Sequence, residues 1–344
     1  MKEGWEYKKF EDALEKVKYT KKLQTNEFLS EGRVPIISQE EEYISGFWNN
    51  PEDAFKVEKP IVIFGDHSRV IKYVDFDFVL GADGVKILRP IESLNAKFLY
   101  HYLKWYNVPS MGYSRHFKFL KEINMPIPPM NVQQQIVSEL DLLSGVIEKQ
   151  KAQLEELDKL AQSIFYEMFG DPVKNEKGWE TEKFGKVYKL KSGEGLSAKQ
   201  FVEGPYPVYG GNGISGYHNS FNLDGNYVII GRVGVYCGNV RNVKGKFWLT
   251  DNAFQLFYDK GKQIPVFVTH LLSILDLHQY ANHAAQPVIS NITLKDVDIS
   301  FPPLSLQQEF AAKVETIEAM KAKVRQSLKE AETLFNSRMD YYFN

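Results

Sequence analysis

The chain has 344 residues, 43% of them hydrophobic and 14% aromatic, and a formal net charge of −2 at pH 7. This length suggests two domains, the apolar content excludes a disordered chain, and the small net charge argues against a general polyanion-binding protein. The single cysteine, Cys237, excludes an internal disulfide and fits a reducing compartment.

The chain opens with MKEGWEYKKF, which has no apolar run after its charges, and no later segment has roughly 18 apolar residues in a row. We therefore expect neither a signal peptide nor a membrane segment. A cytoplasmic protein is the expectation that follows. The rest of residues 1–130 is typical of a mixed α/β region. We predict strands at 34–37, 59–65 and 69–80, a turn at 81–84 and a helix at 91–106.

Residues 131–169 predict one long helix. Read at heptad spacing, its seam positions alternate steps of four and three without a break, and only Gln150 among them is polar. The seam consists of Ile136, Leu140, Leu143, Ile147, Gln150, Leu154, Leu157, Ala161, Ile164 and Met168. At 1.5 Å per residue the helix would be roughly 57 Å long, so we interpret it as a spacer.

The same helix belongs to the most acidic part of the chain. Residues 131–177 carry five basic and nine acidic side chains, a net charge of −4. Any nucleic acid is therefore expected to meet the globular regions and not this helix. The acidic face, which includes Glu148, Glu155, Glu156 and Asp158, is predicted to be available to a protein partner.

The second half of the chain repeats the first at a shift of 174 residues. This shift superposes Gly4-Trp5-Glu6 on Gly178-Trp179-Glu180, and LKEINMPIPPMNVQQQ on LKDVDISFPPLSLQQE. The chain is therefore a tandem duplication in which each half is a globular region followed by a long helix. In the second half we predict a junction at 176–178, strands at 206–210, 226–240 and 246–258, and a helix at 264–280.

The second long helix, 305–342, keeps the heptad seam, with Lys321 as its polar position. Its seam consists of Phe310, Val314, Ile317, Lys321, Val324, Leu328, Ala331 and Phe335. A Pro-Pro pair precedes each long helix and sets a sharp entry, and Asn131 and Ser305 are predicted to be the N-caps. Two matched seams favour an antiparallel pair within one molecule, and a coiled coil with another chain is the alternative.

Together these patterns predict an α+β (mixed α/β) protein built as a pseudo-twofold tandem repeat. Two similar globular domains are separated by two long helices that form an antiparallel intramolecular coiled coil. The predicted boundaries are 1–130 for the first domain, 131–170 for its helix, 171–303 for the second domain and 304–344 for its helix.

No catalytic motif stands out in the sequence. Residues 211–216 fit G-x-G-x-x-G, but they run towards another strand and not into a helix, so we interpret them as a glycine-rich loop between strands. Cys237 with His218 lacks any local nucleophile motif, and a small core residue is the better interpretation of this cysteine. Neither C-x-x-C nor H-E-x-x-H is present, which argues against a metal site. The segments Ile127-Pro-Pro-Met130 and Phe301-Pro-Pro-Leu304 lack the amide and aromatic residues of an amino-methyltransferase loop.

Basic, amide and aromatic residues in predicted loops remain as candidates for DNA contact. Arginine reads guanine, asparagine and glutamine read adenine, and lysine, arginine and serine hold phosphates. An ordinary solvated surface is the alternative for any one of them. The candidates are His67, Ser68, Arg69, Lys72, Arg115, His116 and Lys118 in the first half, and Asn212, Tyr217, His218, Arg232, Arg241 and Gln286 in the second.

These features resemble the specificity subunit of type I restriction–modification systems over essentially the whole chain. The resemblance rests on PPMNVQQQ at 128–135 and PPLSLQQE at 302–309, each opening a long helix. It also rests on FGDHSRVIKYVDFDFVLGADGVKIL with GYSRHFKFL in the first half. In the second half it rests on YPVYGGNGISGY with IIGRVGVYCGNV, TDNAF and AAQPVISNITL.

The resemblance implies a division of labour without catalytic residues in this chain. Each globular half would be a target recognition domain that reads one half of a bipartite, asymmetric site in double-stranded DNA. The helices would hold these domains apart and dock two modification (methyltransferase) subunits, with motor-nuclease restriction subunits joining them. The chain itself would need no cofactor, because S-adenosylmethionine and ATP would be bound by the partner subunits.

Two other classes of function remain open from the residues alone. One is a coiled-coil scaffold without a DNA role, for which substitution of Arg69, Arg115 or Arg232 would leave DNA protection unchanged. The other is a self-contained hydrolase or methyltransferase, which would be active without partners.

Overall fold

The computed structural model describes residues 2–81, 84–112, 114–282 and 286–344, and it divides into two compact units. Unit 1 comprises Met1–Lys151 and Gln326–Asn344, and unit 2 comprises Ala152–Arg325. Each unit therefore contains a globular domain, the first half of the helix that follows it and the last half of the other long helix. Two residues of the predicted 81–84 turn, and Tyr113 in the GYSRHFKFL segment, lie outside the described residues.

Unit 1 contains three groups of strands. The four-stranded sheets have the orders β2-β9-β6-β7 and β3-β8-β4-β5, and β1 pairs with β10. The strands are β1 Glu6–Lys9, β2 Leu14–Glu15, β3 Lys22–Leu23, β4 Val34–Ile37, β5 Gly46–Trp48, β6 Ile61–Gly65, β7 Ile71–Val74, β8 Val79–Gly81, β9 Val85–Pro90 and β10 Asn124–Ile127. The helices of its globular domain are α1 Ala96–Tyr106 and α2 Phe117–Leu120, with 3-10 turns at Phe10–Ala13, Thr25–Glu27 and Pro51–Asp53.

Unit 2 contains one six-stranded sheet of order β12-β17-β15-β16-β13-β14 and the pair β11-β18. The strands are β11 Thr181–Lys183, β12 Lys189–Ser192, β13 Tyr206–Gly210, β14 Gly213–His218, β15 Leu223–Gly231, β16 Val240–Leu249, β17 Ala253–Phe257 and β18 Asp298–Ser300. The helices of its globular domain are α4 Phe184–Val187, α5 Pro265–Ile274 and α6 Asn291–Leu294, with 3-10 turns at Ala198–Gln200 and Leu277–Tyr280.

The predicted glycine-rich loop at 211–216 is mostly strand. Gly210 pairs with Gly213 at the end of the β13–β14 hairpin, so only Gly211 and Asn212 form the turn. Gly213 has a φ of 109°, which favours glycine, and β14 continues to His218. The prediction was wrong because the alternation in this segment is weak and its glycines resemble loop residues.

The two long helices are α3, Met130–Phe169, and α7, Leu304–Phe343. Asn131 and Ser305 are their second residues, so the predicted N-caps were wrong. The first helical carbonyl is that of Pro129, which accepts from the N–H groups of Val132 (2.9 Å) and Gln133 (3.0 Å). Proline lacks an N–H and is tolerated at a helix start, so each helix begins directly after its Pro-Pro pair.

Within each unit the two long helices run antiparallel, which confirms the predicted intramolecular pair. In unit 1, Gln150 donates to Ser327 Oγ (2.6 Å), whereas Glu139, earlier in α3, forms an ion pair with Arg338, later in α7. In unit 2, Lys321 forms an ion pair with Asp158 Oδ1 at 2.6 Å. Asp158, which the sequence analysis placed on the face available to a protein partner, therefore contacts α7.

A buried glutamine ties the start of each long helix to its globular domain. In unit 1, Gln133 Nε2 donates to the carbonyls of Ser93 and Pro128, and its Oε1 accepts from the N–H of Asn95, all at 2.8 Å. In unit 2, Gln307 makes the corresponding contacts to Lys262, Pro302 and Ile264 at 2.9–3.0 Å. The side chains of both glutamines are fully buried.

The C-terminal half of each long helix completes the core of the unit it belongs to. In unit 1, the Phe343 ring packs edge-on against Phe98 with centroids 5.4 Å apart. In unit 2, Phe169 packs against Phe267 at 4.8 Å. Because Phe343 and Phe169 are 174 residues apart, the tandem duplication extends to the packing of the core.

Candidate nucleic-acid interface

The end of strand β6 positions several of the candidate residues of unit 1. The strand ends at Gly65. The next residue, Asp66, donates its N–H to Gly84 O (2.7 Å) and accepts at its own carbonyl from the N–H of His116 (2.8 Å). The segment that precedes α2 is therefore held against the end of the strand.

Unit 2 repeats these backbone hydrogen bonds with different side chains. Strand β15 ends one residue before Arg232. The N–H of Arg232 donates to Asn252 O (2.9 Å), and its carbonyl accepts from the N–H of Ile289 (3.0 Å). The positions of Asp66 and His116 in unit 1 are thus occupied by Arg232 and Ile289 in unit 2, so one backbone arrangement presents two different surfaces.

Three loops meet at this end of the unit 2 sheet, and we name residues 211–212, 232–238 and 286–288 the unit 2 edge. A Cβ added to Gly211 would lie 2.8 Å from Val233 O, so the first two loops are in close contact. The N–H of Gly234 donates to Pro287 O (3.0 Å), and this hydrogen bond links the second loop to the third. The Gln286 side chain is exposed beside Gly234.

Two arginines contribute here: Arg232 lies in the unit 2 edge, and Arg241 contacts it from β16. Arg241 Nη2 donates to Asn212 O (3.2 Å), and Arg232 Nη1 lies 3.2 Å from Ser192 Oγ and 3.3 Å from Asp251 O. A guanidinium carries five N–H groups, so both side chains can still donate to a base edge or a phosphate. The structure thus brings together Asn212, Arg232, Arg241 and Gln286 of the predicted set.

Two further candidates of unit 2 lie on β14. Tyr217 is exposed. His218 is buried, its Nδ1 accepts from the N–H of Val202 (3.0 Å), and its ring packs edge-on against Trp248. We therefore do not assign a DNA contact to His218, because the residue is buried and its Nδ1 already accepts a hydrogen bond.

In unit 1 the structure also removes Lys72 and His116 from the candidate set. Lys72 is 3% exposed, and its Nζ donates to the carbonyls of Ser38 and Glu42. Burial lowers the pKa of this ammonium. His116 is 1% exposed, with Nδ1 3.0 Å from Asp66 O. The sequence could not separate these residues from surface cations, because their burial depends on distant segments that pack against them.

Arg69, Ser68 and His67 form the turn between β6 and β7. Arg69 adopts a left-handed φ of 64°, and its Nη1 donates to Val108 O (2.9 Å). Ser68 Oγ donates to Gln39 O, and the N–H of His67 donates to Gln39 Oε1 (3.2 Å). This turn is therefore fixed from within unit 1, and Ser68 is its exposed side chain.

Arg115 and Lys118 are exposed, unlike Lys72 and His116. The ammonium of Lys118 lies 5.0 Å from the ring centroid of Phe119. Both residues adjoin the segment that His116 anchors to the end of β6. Among the unit 1 candidates they are the cations best placed to meet a polyanion.

Sequence reasoning missed Asp66, the buried acid at the centre of this arrangement. Its Oδ1 accepts from the N–H of Phe117 (2.8 Å), and its Oδ2 lies 3.7 Å from Lys86 Nζ. The available signal was positional, because Asp66 directly follows the strand sequence IVIFG as Arg232 directly follows YVIIG.

Cys237 lies near His278 and not near His218. Its Sγ is 3.3 Å from His278 Nδ1. Burial raises the pKa of the Cys237 thiol, which is the opposite of what an activated nucleophile requires. Within the described ranges, His, Cys, Asp and Glu side chains form no group of three or more suited to hold a metal.

No helix in the described part of the chain combines the length and the apolar character that a membrane span needs.

The sequence matches a known protein family. The model of the family described as "Type I restriction modification DNA specificity domain" matches residues 2–159 and 176–332. The chain therefore belongs to this family and has two of its domains in tandem, as specificity subunits of type I restriction–modification systems do. This confirms the resemblance seen in the sequence.

Individual relatives and a solved structure agree with this assignment. The chain is 35% identical over 133 residues to the type I restriction enzyme EcoprrI specificity subunit of Escherichia coli, a match that covers 37% of this chain and 33% of that subunit. It is 24% identical over 233 residues to a putative type I specificity subunit of Mycoplasma pneumoniae, a match that covers 65% of this chain and 95% of that subunit. The crystal structure of the type I system S subunit from M. genitalium superposes with a TM-score of 0.64 at 17% identity, covering 97% of this chain and 95% of that one, and it supports the fold.

Proposed function

We propose that this chain is the DNA-reading subunit of a type I restriction–modification complex and recognises a bipartite, asymmetric site in double-stranded DNA. The observation that carries the proposal is the duplicated backbone arrangement after β6 and β15. A repeat that keeps its backbone but exchanges Asp66 for Arg232 is suited to present two readers with different base preferences.

Each unit supplies polar side chains for its own half-site. In unit 1 we assign contacts with DNA to Arg115 and Lys118. In unit 2 we assign them to the edge residues Asn212 and Gln286 and to Arg241, which contacts Asn212. The small net charge of the chain predicts weak DNA binding by the isolated subunit, because few phosphates are neutralised. Affinity then depends on partner subunits.

The long helices are assigned two roles in this proposal. They hold the two recognition domains apart, and their outward faces dock two modification subunits, with restriction subunits joining the complex. Methyl transfer with S-adenosylmethionine and DNA translocation with ATP are assigned to those partners, and the chain itself contributes recognition without catalysis. We expect the complex to act in the cytoplasm.

Mapping of methylated sites in the genome of a host that carries the system tests the proposal. Arg115→Ala is expected to relax one half-site, and Arg241→Ala the other, with each base-reading arginine contributing about 1–3 kcal/mol of discrimination. Lys59→Ala, an exposed change just before β6 and thus at the end of that strand opposite Gly65, is the control. Unchanged methylation patterns in both arginine variants would contradict the proposal and favour a scaffold role.

A further inference from the structure

The loop after β15 presents two apolar side chains at its tip. Val235 is 76% exposed and Tyr236 is 52% exposed. They lie between Gly234, with a φ of 88°, and Gly238, with a φ of 90°. The N–H of Cys237 donates to Gly234 O (2.9 Å), so these residues form a tight turn that directs Val235 away from the sheet.

The base of this turn is anchored on several sides. The N–H of Gly238 donates to Gly231 O (2.8 Å), and a Cβ added to Gly238 would lie 2.6 Å from the backbone nitrogen of His278. The Cys237 side chain is 1% exposed and belongs to the core of unit 2. An apolar side chain on a rigid, protruding support loses little conformational entropy when it makes a contact.

The immediate surroundings of the tip are polar and suited to nucleic acid. Gln286 lies beside Gly234, and Arg232 begins the loop. Arg241 Nη2 donates to the carbonyl of Asn212 in the same unit 2 edge. A partner that covers Val235 therefore meets the Tyr236 ring and lies next to the Gln286 amide, with Arg232 and Arg241 on the adjoining loop and strand.

We propose that Val235 contacts the C5-methyl group of a thymine in the half-site that unit 2 reads. In the major groove the thymine methyl is the one apolar group on a base-pair edge, and it lies among the acceptors that arginine and glutamine recognise. The groove is about 12 Å wide and admits a two-stranded ribbon, so the Val235 turn can enter it.

The alternative DNA role for an apolar tip is a wedge between base pairs. Proteins that kink DNA insert long or bulky side chains such as Phe, Leu, Ile and Met. The branched side chain of Val235 ends close to its own backbone, so it reaches a protruding methyl group but not the space between stacked bases.

This inference depends on the proposed function and adds a specific base contact to it. The test uses the full-length chain purified with its modification subunits and a duplex that contains the mapped site. Each thymine of the unit 2 half-site is replaced in turn by uracil, which lacks only the methyl group. At one position the wild-type complex is expected to bind about three- to fivefold more weakly, the loss that corresponds to one buried methyl group.

Variants at position 235 complete the experiment. Val235→Ala is expected to weaken binding to the thymine duplex and to abolish the difference between thymine and uracil at that position. Val235→Thr, which preserves the side-chain shape, is expected to retain part of the difference in affinity between the thymine and uracil duplexes. Val173→Ala removes another exposed valine, one that lies outside the unit 2 edge, and is expected to leave the difference unchanged.

The outcomes separate this inference from the proposed function. If the wild-type complex does not distinguish the mapped site from a scrambled duplex, the proposed function fails. If it does distinguish them but no uracil substitution in the unit 2 half-site lowers affinity, or if Val235→Ala retains the full thymine preference, only the thymine contact is overturned. Urea unfolding of each variant establishes that it is folded.

Discussion

The buried glutamine at the start of α3 predicts a large and local loss of stability. In Gln133→Ala the N–H of Asn95 and the carbonyls of Ser93 and Pro128 lose their partner, each from a hydrogen bond of 2.8 Å. A buried polar group left unsatisfied costs about 1–3 kcal/mol. The hydrogen bond to Pro128 is fully buried and the other two are partly buried, so we expect a total loss of about 3 kcal/mol.

The assay is urea unfolding, combined with hydrogen exchange to locate the change. The N–H of Asn95 should lose protection in Gln133→Ala. Gln134→Ala, at the exposed neighbouring position, should change stability by less than about 0.5 kcal/mol. Gln133→Glu should destabilise at least as much as alanine at pH 7, because a carboxylate cannot donate to two carbonyls. Equal stabilities of Gln133→Ala and Gln134→Ala would refute this interpretation.

Three further predictions concern the helix pair and the candidate set. Replacing Gln150 by leucine should raise stability by about 1 kcal/mol in urea unfolding, because its Oε1 is buried without a hydrogen-bond partner among the described residues; a loss would show that its amide stabilises the pair. The hydrogen bond from Arg338 holds the pKa of Glu139 below its usual value, so its contribution to stability is present above the unfolded pKa and is lost on acidification. Glu139→Gln should therefore show a smaller loss of stability between roughly pH 5 and pH 3 than the wild type, and equal slopes would contradict the assignment. Arg115→Ala should weaken DNA binding by the complex without changing the urea midpoint of unfolding. Lys72→Met should lower that midpoint without changing the affinity for DNA. The reverse pattern would restore Lys72 as a DNA contact.

The long helices were predictable from sequence because a heptad seam is a strong and extended signal. Every position of both predicted seams is buried or half-buried, including Gln150 and Lys321. Strands such as Val34–Ile37 and Tyr206–Gly210 were also predicted with their observed bounds. These short segments are compact apolar runs bounded by turn residues.

The structure of the units was not predictable in the same way. A heptad pattern shows that a helix face is buried but not which globular domain completes its packing. The sequence therefore placed α3 and α7 outside the globular domains, whereas the compact units divide both helices near their middles. The role of Gln133 was likewise hidden, because burial distinguishes it from Gln134 and local sequence does not.

For the candidate DNA contacts, the sequence gives the residue type but not whether the side chain points into the core or towards solvent. Lys72 alternates with apolar neighbours in β7 and points inward, where backbone carbonyls replace water around its ammonium. His116 is buried in the same way, whereas the adjacent Arg115 is exposed. Such differences depend on the packing of distant segments, which a single sequence does not specify.

The proposed function requires the two recognition domains to read separate half-sites. A domain exchange tests this claim: residues 1–130 are replaced by the corresponding domain of another family member, and methylated sites are mapped in the host genome. We predict that one half-site changes to that of the donor while the other half-site is retained. A change in both half-sites, or in neither, would contradict the claim.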